Sequence, residues 1–96
     1  MRPYEVMYVL NPEMEEEATT ALIDRISGVI TGQGGTVDNV DKWGKRRLAY
    51  EVDGLREGYY VLTKFKGGPS VASELDRVLR ITDEVARHVI LREDAK

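Results

Sequence analysis

The spacing of hydrophobic residues changes period several times along the chain, and each change marks an element. Tyr4 to Leu10 is apolar on both parities apart from Glu5 and rich in aromatic and branched residues, the pattern of a strand covered on two faces. From Met14 the period becomes helical: Ala18, Leu22, Ile26, Val29 and Ile30 form a stripe, while Glu15, Glu16, Asp24 and Arg25 fall mainly elsewhere. Asn11-Pro12-Glu13 offers an N-cap, a proline for the first helical position and an acid against the positive helix end, so the helix is predicted to begin there. Gly32, Gly34 and Gly35 stop it.

Thr36 to Val52 is long and strand-like, but Val37 and Val40 break a strict alternation that Leu48, Tyr50 and Val52 later restore. A bulge near Trp43-Gly44 would reconcile the two halves. Asp53-Gly54 opens a turn, and Gly58 precedes a second apolar strand from Tyr59 to Phe65, so the two strands form a hairpin. Gly67-Gly68-Pro69-Ser70 punctuates the chain before a short helix with Val71, Leu75, Val78 and Leu79 on one face and Asp76 and Arg80 at i,i+4 spacing. Val85 to Leu91 reads as a last strand. Residues 1–92 are expected to form one domain and 93–96 a charged tail.

Strand, helix, strand, strand, helix, strand is the α+β, ferredoxin-like split βαβ order: a four-stranded antiparallel sheet with two helices on one face. The first and third strands, being the most apolar, belong in the centre. Tyr59, Val61, Thr63 and Phe65 then face the helices and leave Tyr60, Leu62, Lys64 and Lys66 on the open face, where an apolar, partly aromatic surface suits a protein partner.

Composition narrows the function. A chain of 96 residues with 42% hydrophobic and 32% charged residues has one modest core and a soluble surface. It contains no Cys and one His, which removes disulfides, a cysteine nucleophile, thiolate zinc and multi-histidine metal sites. No apolar run reaches membrane-spanning length, and Met1 leads directly into a strand-like pattern with no targeting segment expected. Glu13, Glu15, Glu16 and Glu17 lack the spacing of a calcium loop and fit the helix dipole instead. His88 has no Ser, Cys or second His placed to work with it and reads as a half-buried strand residue. No enzyme activity, metal, cofactor or small-molecule substrate is expected. A phosphatase on the same topology would need a glycine-rich loop before the first helix, whereas the first strand runs straight into Asn11-Pro12.

The net charge of −3 argues against nucleic acid, yet its distribution argues for it. Lys42-Trp43-Gly44-Lys45-Arg46-Arg47 packs four cations around an aromatic residue and a glycine, as a phosphate-facing patch does. The same residues also suit an edge strand, where Lys and Arg block intermolecular pairing. Both roles are compatible.

Gly44-Lys45-Arg46-Arg47-Leu48-Ala49-Tyr50-Glu51-Val52 resembles the signature of the bacterial small-subunit ribosomal protein S-six family. Met1-Arg2-Pro3-Tyr4-Glu5, Asn11-Pro12, Gly58-Tyr59-Tyr60 and the segment from Glu74-Leu75 to Leu79 are similar to that family too, so the resemblance spans essentially the whole chain. It implies a structural constituent of the small ribosomal subunit, cytoplasmic with the ribosome. Such a protein binds the central domain of the small-subunit ribosomal RNA together with a partner protein, S-eighteen. By the same resemblance Arg2, Lys45, Arg46 and Arg47 are the candidate RNA contacts. Trp43, Tyr60 and Leu62 are the candidate protein contacts. His88 departs from the pattern, which would place an aliphatic residue there, and the tail lacks a long acidic extension. The rival reading is a free-standing ferredoxin-like regulatory module that binds a small ligand or dimerises through its sheet.

Overall fold

The computed structural model describes the backbone of residues 1–52 and 55–93 and the side chains of 1–47 and 57–93. The elements run β1 (Arg2–Leu10), α1 (Glu16–Gly32), β2 (Thr36–Val52), β3 (Leu55–Gly67), α2 (Pro69–Ile81) and β4 (Val85–Arg92). The sheet order is β2-β3-β1-β4, with every pairing antiparallel. The two most apolar strands are therefore central, as their composition requires, and both helices lie on the face that Tyr4, Val6, Tyr8 and Leu10 bury.

Packing follows the alternation of the strands. Tyr4, Val6, Tyr8 and Leu10 from β1 and Val61 and Phe65 from β3 meet Leu22, Ile23, Ile26 and Ile30 of α1 and Val71, Leu75 and Leu79 of α2 in one core. Tyr4 and Phe65 stack at 5.3 Å between ring centres. Thr63 is buried as well, so the expected division of β3 into a helix-facing and an open set holds.

Three sequence expectations need correcting. The first helix starts at Glu16 and not at Asn11-Pro12. Asn11 Oδ1 accepts the Glu13 N–H at 2.9 Å and the Asn11 carbonyl accepts the Met14 N–H at 3.4 Å, so the segment closes a single side-chain-stabilised turn that is not continued into the helix, while the Asn11 N–H donates to the Glu84 carbonyl at 3.0 Å. The acids that meet the helix dipole are Glu16 and Glu17. On α1 the buried stripe is Thr19, Leu22, Ile23, Ile26 and Ile30, while Ala18 is exposed. The third strand begins at Leu55, ahead of Tyr59, because Arg46 and Arg47 pair with Gly58 and Glu57 and extend the ladder.

The helix stop behaves as expected. Gly34 adopts φ +86°, its N–H donates to Thr31 and the Gly35 N–H donates to Ile30, which satisfies the last carbonyls of α1. The irregularity of β2 is also explained. Register shifts fall between Val37 and Asn39 and between Lys42 and Gly44. The first resets the parity so that Val37 and Val40 both pack against the core; the second is the bulge expected at Trp43-Gly44. The Asp53-Gly54 turn, the alternation of Leu48, Tyr50 and Val52, and tail residues 94–96 lie outside the described residues or side chains. Glu93 donates its N–H to the Pro3 carbonyl at 3.0 Å.

Candidate RNA and protein interface

The β2–β3 hairpin carries the basic run past the end of the sheet. β1 pairs with β3 as far as Leu10 opposite Tyr59, whereas β2 and β3 remain paired through Arg46 opposite Gly58, Arg47 opposite Glu57 and Val52 opposite Leu55. Lys45, Arg46 and Arg47 are all exposed and form no ion pair with any described residue. Arg2 is exposed and unpaired in the same sense. By contrast Lys64 bridges Glu93 at 3.8 Å, Lys66 bridges Asp38 at 3.6 Å, Arg77 meets Glu74 at 2.6 Å and Arg80 meets Asp76 at 3.2 Å. Arg77 grips Glu74 through two nitrogens, and that hydrogen bonding holds the Glu74 carboxyl below its ordinary range.

The four candidate RNA residues do not form one patch. Arg2 stands opposite Gly67, the last residue of β3, and Lys45 opposite Tyr59, eight residues back along the strand. Those positions are roughly 26 Å apart at about 3.3 Å per residue. Lys45, Arg46 and Arg47 are consecutive on the hairpin; Arg2 is a separate point on the same sheet.

The candidate protein contacts do lie on one face. Trp43 sits at the bulge between Lys42 and Gly44, and Gly44 takes φ +80°. A Cβ there would meet nothing within 4 Å in the chain itself, so within the fold glycine is needed for the backbone angle. The Trp43 and Tyr60 rings lie 6.3 Å apart and within 12° of parallel, and Trp43 Nε1 donates to Asp41 Oδ2 at 3.0 Å. Leu62 is half-buried beside them. The register aligns Leu62, Met7 and Val89 in one row across β3, β1 and β4, with Tyr60 and Val9 in the next. Met7, Val89 and Leu91 were missed from the sequence as parts of this face, although Val89 and Leu91 are strongly exposed. Their alternation along β1 and β4 could have located them once the helix-facing parity was known.

His88 points the other way. It is half-buried on β4 against α2, with Nε2 2.8 Å from Asp76 Oδ1. Among the described residues no group of three His, Cys, Asp or Glu side chains could hold a metal ion. No helix among them is long and apolar enough to cross a membrane.

One sheet with both helices on one side, an uncovered apolar face on the other and unpaired cations on a protruding hairpin defines a ferredoxin-like binding module. The family profile described as Ribosomal protein S6 matches residues 3–92. The small ribosomal subunit protein bS6 of Moorella thermoacetica is 58% identical over 92 residues, covering 96% of this chain and 94% of that protein. Its counterpart in Carboxydothermus hydrogenoformans is 54% identical over 94 residues, covering 98% of each. The crystal structure of 30S ribosomal protein S6 from Thermotoga maritima superposes with a TM-score of 0.92 at 31% identity, over 96% of this chain and 87% of that one. The chain belongs to the ribosomal protein S6 family. It is accordingly a bacterial small-subunit ribosomal protein, located on the cytoplasmic ribosome, and its family is structural and not enzymatic.

Proposed function

We propose that this protein binds the central domain of the small-subunit ribosomal RNA jointly with the ribosomal protein S-eighteen. Lys45, Arg47 and, separately, Arg2 supply the basic contacts, while Trp43, Tyr60 and Leu62 belong to the protein-docking face. The observation that carries the reading is the clustering of cations. Lys64, Lys66, Arg77 and Arg80 on the body of the fold are bridged to neighbouring acids and Arg25 on α1 stands apart as a single cation, whereas Lys42, Lys45, Arg46 and Arg47 lie within six residues of one strand and, like Arg2, pair with none of the described acids. Clustered cations on one strand can displace counterions from a phosphate backbone, and that gain offsets the long-range repulsion expected from a net charge of −3.

A few phosphate contacts on one small protein give weak binding, so affinity has to come from two surfaces acting together. The apolar row of Leu62, Met7 and Val89 supplies the second surface. The test is titration of a central-domain RNA fragment with this protein, with and without S-eighteen, over a salt series. Tight, salt-sensitive binding that requires S-eighteen is expected; equal affinity with and without it, or binding indifferent to salt, rejects the reading.

A further inference from the structure

The register of β2 against β3 divides the basic run between two faces. Lys45 stands opposite Tyr59 and Arg47 opposite Glu57, so both share the parity of the helix-facing residues, whereas Arg46 stands opposite Gly58, on the parity of Tyr60 and Leu62. Arg46 lines a shallow cleft of about 450 Å³ with Trp43 and Tyr60. The floor is aromatic: the two rings are nearly parallel, and Trp43 keeps 39% of its surface exposed. Asp41 is engaged by the indole N–H and forms no ion pair with Arg46. Among the described residues the guanidinium therefore has no anion at the rim of this apolar recess.

We propose that Arg46 belongs to this cleft and not to the RNA-facing set, and that the cleft receives a protein segment presenting a carboxylate beside an apolar or aromatic side chain. A carboxylate is the planar acceptor that matches the guanidinium fork, and stacked aromatic rings favour an apolar neighbour beside it. Continuity supports a protein over a nucleic-acid strand. The open face runs from the cleft into the apolar row of Leu62, Met7 and Val89, which ends on β2 at Asp41, already engaged by Trp43; of its cations, Lys64 and Lys66 are bridged to Glu93 and Asp38, and Arg87 stands beyond Val9 on the far strand. An RNA strand laid there would cross apolar surface and spent cations. On the other face of the hairpin, Lys45 and Arg47 sit two residues apart, roughly 6.6 Å along the strand, with neither bridged to a described acid.

The inference rests on the partner reading above, and its test separates the two. S-eighteen is titrated into the unsubstituted chain and into Arg46→Glu, Lys45→Ala and Arg47→Ala variants without RNA, following the emission of Trp43, the chain's one tryptophan. Circular dichroism checks that each variant is folded. Arg46→Glu is expected to weaken association with S-eighteen at least about tenfold, with the other two variants unchanged. In a parallel salt series with the RNA fragment alone, Lys45→Ala and Arg47→Ala should each lower the slope by about 0.7 to 0.9 and Arg46→Ala should not. Association unaffected by Arg46→Glu, or a slope lowered by Arg46→Ala, overturns the inference and leaves the partner reading standing. An unsubstituted chain that fails to bind S-eighteen overturns both.

Discussion

His88 Nε2 lies 2.8 Å from Asp76 Oδ1, and this contact ties the edge strand β4 to α2. The other Asp76 oxygen meets Arg80 at 3.2 Å, one helical turn further on. A histidine at a position expected to be aliphatic is thus accommodated by a polar partner on the facing helix, which a half-buried imidazole requires.

The hydrogen bond from His88, with a smaller contribution from the Arg80 charge, holds the Asp76 carboxyl below its ordinary value of 3.8. A carboxyl whose folded pKa is depressed stabilises the fold fully above its unfolded value, and that contribution is lost as pH falls through the lower folded value. Asp76→Asn should therefore lower Tm near neutral pH, with the gap to the parent closing in acid. Thermal unfolding of both proteins across acidic pH checks this; a gap that persists in strong acid rejects it.

Tyr8 and Thr63 place two hydroxyls in the core, and neither finds a hydrogen-bond partner of good geometry. Burial pushes the Tyr8 phenol well above its ordinary value of 10.0, a shift that the nearby Thr63 hydroxyl only partly opposes. Replacing both by apolar isosteres removes the desolvation penalty while keeping the shape. The double variant Tyr8→Phe, Thr63→Val is expected to be at least as stable as the parent by chemical denaturation. A loss of more than about 2 kcal/mol would show that the hydroxyls satisfy each other in solution.

Gly44 holds φ +80° at the bulge that presents Trp43. An alanine would have room for its methyl group but not a comfortable backbone, so Gly44→Ala should cost about 1–2 kcal/mol. It should also shift Trp43 emission as the bulge rearranges. Unchanged emission together with unchanged stability would place the bulge under the control of other residues.

Lys45→Ala and Arg47→Ala should weaken binding of the RNA fragment regardless of its sequence while leaving folding stability within about 0.5 kcal/mol of the parent, since both side chains are exposed and pair with no described residue. β2 is an edge strand, so the same residues guard against strand pairing between copies. Sedimentation separates the two roles. Lower RNA affinity in a monomeric variant supports phosphate contact, whereas intact affinity with new oligomers assigns the residues to edge protection alone. Arg2→Ala, on a central strand, isolates the RNA term.

The order of elements, the central position of β1 and β3 and the helix-facing parity of β3 were legible in the sequence, because period and apolar content are local properties of a strand. So was the family, whose basic Gly44 to Arg47 run is continuous in the chain. The helix start was misplaced because Asn11-Pro12 suits both a cap and an isolated turn, and the local signals for the two are the same. The division of Lys45 and Arg47 from Arg46, the separation of Arg2 from all three, and the row of Leu62, Met7 and Val89 belong to the tertiary structure alone. Each depends on strand register: the pairing of β1 with β3 and β4 sets the row, and the bulges in β2 set which face each of Lys45, Arg46 and Arg47 takes, a parity that no periodic reading of the chain can count across an inserted residue.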